Sequence, residues 1–242
     1  MISMPHDTSL NASQASAPVT DWDLLRGGPG AAAPNMNLLA RRYWRPVYRF
    51  IRASCGRGIE DAKDLTQGFF AEIFDEKFLR AADPKLGNFR RFLLTCVHNF
   101  VRNRDRAART KRRGGGRTSI PLDGFKDDLP EPEDPGLTPE EVFNRAWAQG
   151  VLDRAAEELK GRYEAARKSA WYEAFRRFHI DKAEAASYAA IAKELGLKPH
   201  DIQNILRAAR RDFRSLCRRI VQEGVLDPKD MEGEMDALFG GR

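Results

Sequence analysis

His200, Gln203, Asn204, Arg207, Arg210 and Arg211 crowd six polar, donor-bearing side chains into twelve residues. These are the groups that grip nucleic acid. Gln and Asn hold an adenine edge with two hydrogen bonds, Arg holds a guanine edge the same way, and Arg also forks onto phosphate. The residues between them, Ile202, Ile205, Leu206 and Ala209, repeat at helical period, so apolar groups take one face and donors the other. Just upstream, Ile191 and Leu195 give a preceding helix its apolar face, and Ala192 is small where two helices must approach closely. Gly196 stands at the turn, where Gly adopts a left-handed backbone without strain. Leu197 points back to the core, and Pro199 suits the first position of a second helix. Residues 188–207 therefore predict a helix-turn-helix, with the second helix lying in a duplex major groove. Any amphipathic helix pair would show the apolar pattern. Gly and Ala at these two places, beneath a donor-rich outer face, are the further features that favour DNA. His200, Gln203, Asn204 and Arg207 are assigned to bases, although His200 reads equally well as an exposed cap. Lys198, Arg210 and Arg211 are assigned to phosphates, which position a helix without specifying sequence. Arg214, Arg218 and Arg219 read as ordinary surface.

A second basic block lies at residues 88–117, with ten Lys/Arg against the single acid Asp105. Asn88 is a plausible N-cap for a long helix that turns Phe89, Phe92, Leu93, Cys96, Val97 and Phe100 inward. Its expected outward set is Arg90, Arg91, His98, Asn99, Arg102, Asn103, Arg106 and Arg109, with Lys85 in the preceding loop. Such a face neutralises phosphates, and its affinity should fall steeply with salt. Phe92 is read as core; Phe89 is left open between core and a platform on which a base stacks. Residues 118–141 reverse the sign, with eight acids against Lys126, and residues 198–219 restore it, with seven Lys/Arg against Asp201 and Asp212. Two basic blocks flanking an acidic connector suggest two polyanion contacts on one chain.

The elements that position these groups are all expected to be helical. Leu39, Tyr43, Val47 and Ile51 mark a helix over residues 35–52, with Pro46 arguing for a kink. Leu65, Phe69 and Ile73 mark another over residues 59–78, and the basic helix is expected to run to Arg113 before Gly114, Gly115 and Gly116. Five prolines within residues 120–139 make an extended linker. Thr138, Pro139 and Glu141 then form a capping box that opens a helix striped by Phe143, Trp147, Val151, Ala155 and Leu159. A further helix is expected near residues 163–178. The boundaries read 1–34 as a disordered segment that Trp22, Leu24 and Leu25 could anchor, 35–117 and 138–226 as two helical domains, 118–137 as the acidic linker and 227–242 as a tail. The tail sets acids among Met231, Met235, Leu238 and Phe239, which suits packing back on the second domain or docking a partner. The expected class is all-α. Cys55, Cys96 and Cys217 are odd in number and far apart, so no disulfide framework or zinc cluster is indicated. With no membrane span and no apolar leader, a cytoplasmic location is expected.

Four motifs in order, YWRPVYRFI (43–51), DAKDLTQGFF (61–70), DPKLGNFRRFLLTCVHNF (83–100) and SYAAIAKELGL (187–197), with GGGR (114–117) before the linker, resemble bacterial RNA polymerase sigma factors of the extracytoplasmic-function class. The resemblance implies a region 2 at residues 35–117 that docks on the clamp helices of core polymerase and separates the −10 strands. It implies a region 4 at 138–226 that reads the −35 element and meets the flap, with the linker in the RNA exit path. It places the pocket for flipped bases at residues 80–88, near Asn99, and polymerase contacts at Asp61, Asp64, Gln67 and Glu72. One departure bears on control. The family's docking helix usually begins Asp-Ala-Glu-Asp, whereas Lys63 stands here at the Glu position and Gly68 where a further acid is often found. A phosphate on Thr66 would nearly restore the lost charge, so activation by a Ser/Thr kinase at Thr66 is an expectation, against the plainer reading of Thr66 as a helix-surface residue.

Two other functions fit less of the sequence. A helix-turn-helix regulator acting without polymerase accounts for residues 188–207 and leaves the basic aromatic helix unexplained. A metal-dependent nuclease using Asp61, Asp64 and Glu72 lacks a further acid or His to complete the site, and Lys63 lies within it. The chain is accordingly read as a non-enzyme, with no cofactor and no metal.

Overall fold

The computed structural model describes residues 20–26, 35–56, 58–75, 88–110, 136–181, 188–198 and 200–239, and all regular structure among them is helical. In chain order the helices are α1 (Asp21–Arg26), α2 (Met36–Cys55), α3 (Ile59–Ile73), α4 (Phe89–Thr110), α5 (Pro139–Ala165), α6 (Ser169–Phe175), α7 (Tyr188–Glu194), α8 (Ile202–Gln222) and α9 (Asp230–Phe239), with a π-turn at Arg176–Ile180. Three starts follow directly from side chains. Asn35 Oδ1 accepts from the Leu38 N–H at 3.0 Å, and Asn88 Oδ1 accepts from the Arg91 N–H at 3.0 Å. Thr138 and Glu141 satisfy one another's backbone N–H groups, with Pro139 in the first turn. Each removes a donor that a helix start would otherwise leave unpaired.

Several boundaries differ from those the sequence suggests. Pro46 lies inside α2, which continues to Cys55, and α3 ends at Ile73. Tyr163 still belongs to α5. The chain then turns at Arg167, whose φ of 56° is left-handed; Lys168 N–H reaches Tyr163 O at 2.7 Å and Arg167 N–H reaches Glu164 O at 2.9 Å. These two bonds close the end of α5, so residues 163–178 form the end of one helix and a second short one. Within the segment expected to be disordered, α1 is folded onto the core, with Trp22, Leu24 and Leu25 buried. The Trp22 ring meets Phe89 edge-on at 5.1 Å. Lys85, Pro199, the end of the basic helix beyond Thr110 and residues 118–135 of the linker lie outside the described residues.

The most extensive helix pairing joins α2 to α5, the first long helices of the two halves separated by the linker. Phe50 and Phe143 meet edge-to-face at 6.5 Å, and both are fully buried. Farther along, Phe89 N–H donates to Gly224 O at 2.9 Å and Asp21 N–H to Glu223 O at 2.7 Å, so the end of α8 abuts the starts of α1 and α4. One cluster of buried side chains draws on α1 to α6, α8 and α9. The two helical domains expected at 35–117 and 138–226 are thus packed on one another through a common core. Burying one Phe in it contributes about 1.5–3 kcal/mol. A smaller cluster, Ala174, Ile191, Ala192, Ile202 and Leu206, holds α7 against α8. No helix among the described residues is long and apolar enough to cross a membrane.

Candidate nucleic-acid interface

Gly196 makes the turn between α7 and α8. Its φ is 64°; Leu197 N–H reaches Ala192 O at 2.8 Å and Gly196 N–H reaches Lys193 O at 3.3 Å. This pair of bonds defines a helix stop on a left-handed glycine. Leu195 and Leu197 pack on the small cluster, as the apolar spacing requires. After this turn α8 begins at Ile202, later than a helix opened by Pro199 would.

Lys198, His200, Gln203, Asn204, Arg207, Arg210 and Arg211 are all exposed. At 100° per residue, Gln203, Arg207, Arg210 and Arg214 fall within an arc of about 60°, with Asn204 and Arg211 on one flank. Opposite them, Ile202, Ile205, Leu206 and Ala209 are buried. The face is therefore continuous and open, and it occupies the N-terminal turns of α8. Farther along, basic residues pair within the chain: Arg218 with Glu232 at 3.4 Å, Arg219 with Glu158, and Arg214 over the Phe239 ring at 5.6 Å. His200 Nε2 lies 3.4 Å from the Asp201 carboxylate, and no side-chain hydrogen bond caps the start of α8.

On α4, Arg91, His98, Asn99, Arg102, Asn103 and Arg106 are exposed and fall within an arc of about 140°. Arg109 lies in the helix without a described side chain. Phe89 is fully buried against Trp22 and Tyr43, so it is a core residue and no base stacks on it in this fold. Arg90 is also displaced from the outward set, and Asn88, the last residue of the pocket expected at 80–88, is buried beside it. Asn88 is 2% exposed and Arg90 7%. Arg90 Nε and Nη2 donate to the two carboxylate oxygens of Glu234 on α9, at 2.6 and 2.7 Å, and Asn88 Nδ2 donates to Glu234 Oε1 at 2.8 Å. Arg90 Nη1 donates to Asn144 Oδ1, while its guanidinium lies 4.8 Å from the Trp147 ring centre.

A second buried polar group ties α1 to α2 and α8. Tyr43 Oη donates to Asp21 Oδ2 at 2.7 Å, and Arg42 bridges Asp21 and Glu223. Burial, and then the Asp21 carboxylate, push the Tyr43 phenol well above its ordinary range. Asp21, Asn144, Glu223 and Glu234 have no assigned role in the sequence reading. Glu234 carried a signal even so, since Met231, Glu234, Met235 and Leu238 share one helical stripe and an acid there needs a partner.

The α3 surface presents exposed Asp61, Asp64 and Glu72 and half-buried Gln67. Glu72 is 3.6 Å from Arg104, and Lys63 pairs with Glu60 at 3.2 Å. Thr66 corrects both readings made of it. It has no exposed surface, and its hydroxyl donates to Ala62 O at 2.7 Å. A kinase has no access to that oxygen in this fold, and a dianionic phosphate would have to be buried. The Cys96 and Cys217 thiols are free, and burial pushes each up to about 12, so neither is a nucleophile near neutrality.

No protein-family model, curated protein or solved structure matches the chain.

Proposed function

We propose that the chain is a promoter-recognition subunit of the sigma type, in which α8 reads duplex DNA in the major groove and α4 holds the strands of an opened segment. The observation that carries this reading is the open donor face of α8, set on a glycine-stopped turn and backed by its own small core. The exposed face of α4 supplies the second contact, and the acidic face of α3 offers a docking surface to a basic polymerase partner. Activation through Thr66 is not part of the proposal, because that hydroxyl is buried. A cytoplasmic location goes with the function. The test is run-off transcription with core RNA polymerase on a library of genomic fragments. Promoter-selective transcripts that depend on the protein are expected, and none with any fragment would reject the reading.

A helix-turn-helix regulator that binds duplex without polymerase is the second reading. One observation favours it: the common core that joins the two halves, since a regulator needs no separation between them. Duplex binding with no co-purification and no run-off activity would select it.

A further inference from the structure

Glu234 is 2% exposed and sits between donors that ordinarily serve an anion. The Arg90 fork takes both its oxygens, the geometry with which Arg also takes phosphate. Asn88 adds a third bond at 2.8 Å. Asn88 also caps α4, so the carboxylate lies at the positive end of a 22-residue helix. Asn144, by accepting from Arg90, holds the guanidinium in place. Beside this group is a cavity of about 130 Å³ lined by Arg41, Arg42, Arg90 and Arg154 together with the acids Asp21 and Glu234, Arg42 and Arg154 each being paired with Glu223. Arg91 Nε lies 4.0 Å from Glu234 Oε1 while its side chain is 67% exposed. The buried donors therefore run without a break into the open basic face of α4. Glu234 belongs to a short terminal helix joined to α8 by residues 223–229, so the anion is supplied by an element whose removal leaves α4 covalently untouched.

We propose that Asn88 and Arg90 form an oxyanion site which Glu234 fills from within the chain, and which a nucleic-acid backbone phosphate takes when α9 moves away. The site extends the α4 face by one phosphate, and α9 is the competitor that holds it closed. This rests on the nucleic-acid reading of α4.

The test uses the full chain as wild type and as Glu234→Gln, which keeps the shape and removes the charge. A labelled single-stranded oligonucleotide is titrated by anisotropy over a range of salt. The variant should bind about tenfold tighter at low salt, with a log–log salt slope steeper by about 0.7, the increment for one further phosphate on single-stranded nucleic acid. Equal affinities and slopes would overturn the proposal and leave the DNA-binding reading standing; no binding by either protein would overturn both. Because Glu234→Gln leaves Arg90 without its anion and can cost the fold, hydrogen exchange of the wild type is the second measurement. Saturating oligonucleotide should speed exchange of the α9 amides while slowing that of α4, and unchanged α9 exchange counts against the latch. Inorganic phosphate is the remaining probe. If it opens α9 at concentrations where the oligonucleotide does not, the site is for free phosphate and the nucleic-acid assignment fails.

Discussion

Arg90 and Glu234 are 144 positions apart in sequence, yet Arg90 Nε lies 2.6 Å from Glu234 Oε2 and Nη2 2.7 Å from Oε1, both side chains almost fully buried. A buried pair of this kind adds little net stability over an apolar pair, because desolvating both charges offsets most of their attraction. Removing one partner is a different matter, since the remaining charge stays in place without water or counter-charge. Arg90→Ala should therefore cost about 3–5 kcal/mol in denaturant unfolding. Arg90→Met combined with Glu234→Leu should recover most of that loss. A double variant as unstable as the single one would mean that the residues do not act as a pair.

Gly196 and Gly68 look alike in sequence and should respond oppositely to Ala. At Gly196 there is open space for a Cβ, but φ is 64°, so the cost is purely one of backbone, about 1–2 kcal/mol. Gly68 is inside α3 with ordinary backbone, and a Cβ there would meet Phe100 at 3.8 Å and Arg104 at 3.9 Å. Both are normal contact distances. Gly68→Ala should stabilise the protein by up to about 1 kcal/mol, and Gly196→Ala should lower the melting temperature. If Gly196→Ala melts with the wild type, the left-handed turn is not what holds α7 to α8.

Gln203 and Arg207 share the centre of the open α8 face, whereas Arg211 lies on its flank. If the first two contact base edges, Gln203→Ala and Arg207→Ala should each cost about 1–3 kcal/mol on preferred duplexes and relax the preference at one position. Arg211→Ala should weaken all duplexes alike and lower the salt slope by about one phosphate. Competition among duplex variants at fixed salt separates the two behaviours. An unchanged preference after Gln203→Ala would remove α8 from the groove.

What the sequence made legible is what neighbouring residues decide. The capping box at Thr138, the cap at Asn88 and the turn at Gly196 each depend on a few adjacent side chains, and the structure has all three. The stripe of α5 is likewise where the spacing put it, with Phe143, Trp147, Val151, Ala155 and Leu159 buried. Contacts between distant segments were not legible. The acidic, proline-rich stretch between the halves suggested separation, yet α2 and α5 bury their stripes against each other. Arg90 was misplaced because it stands on the border of the α4 stripe, about 20° from Val97 on the helical wheel. A residue there goes in or out according to whether a counter-charge arrives from elsewhere, and Glu234 comes from the far end of the chain.

Thr66 stands within the stripe that Ala62, Phe69 and Ile73 place against the core, and all four are buried. Its hydroxyl bonds to the carbonyl one turn earlier, so it needs no other partner. Thr66→Val keeps the branched shape and loses only that bond, at a cost of about 1 kcal/mol or less. Its activity in a reporter strain should match that of the wild type, the opposite of what a required phosphate would give. Thr66→Glu must instead bury a carboxylate where a hydroxyl with no exposed surface now sits, which should cost at least about 3 kcal/mol. It should appear as a large drop in melting temperature and a loss of activity. A Thr66→Glu protein that melts normally and transcribes more strongly would show that this side chain reaches the surface, and the packing of α3 given above would be wrong.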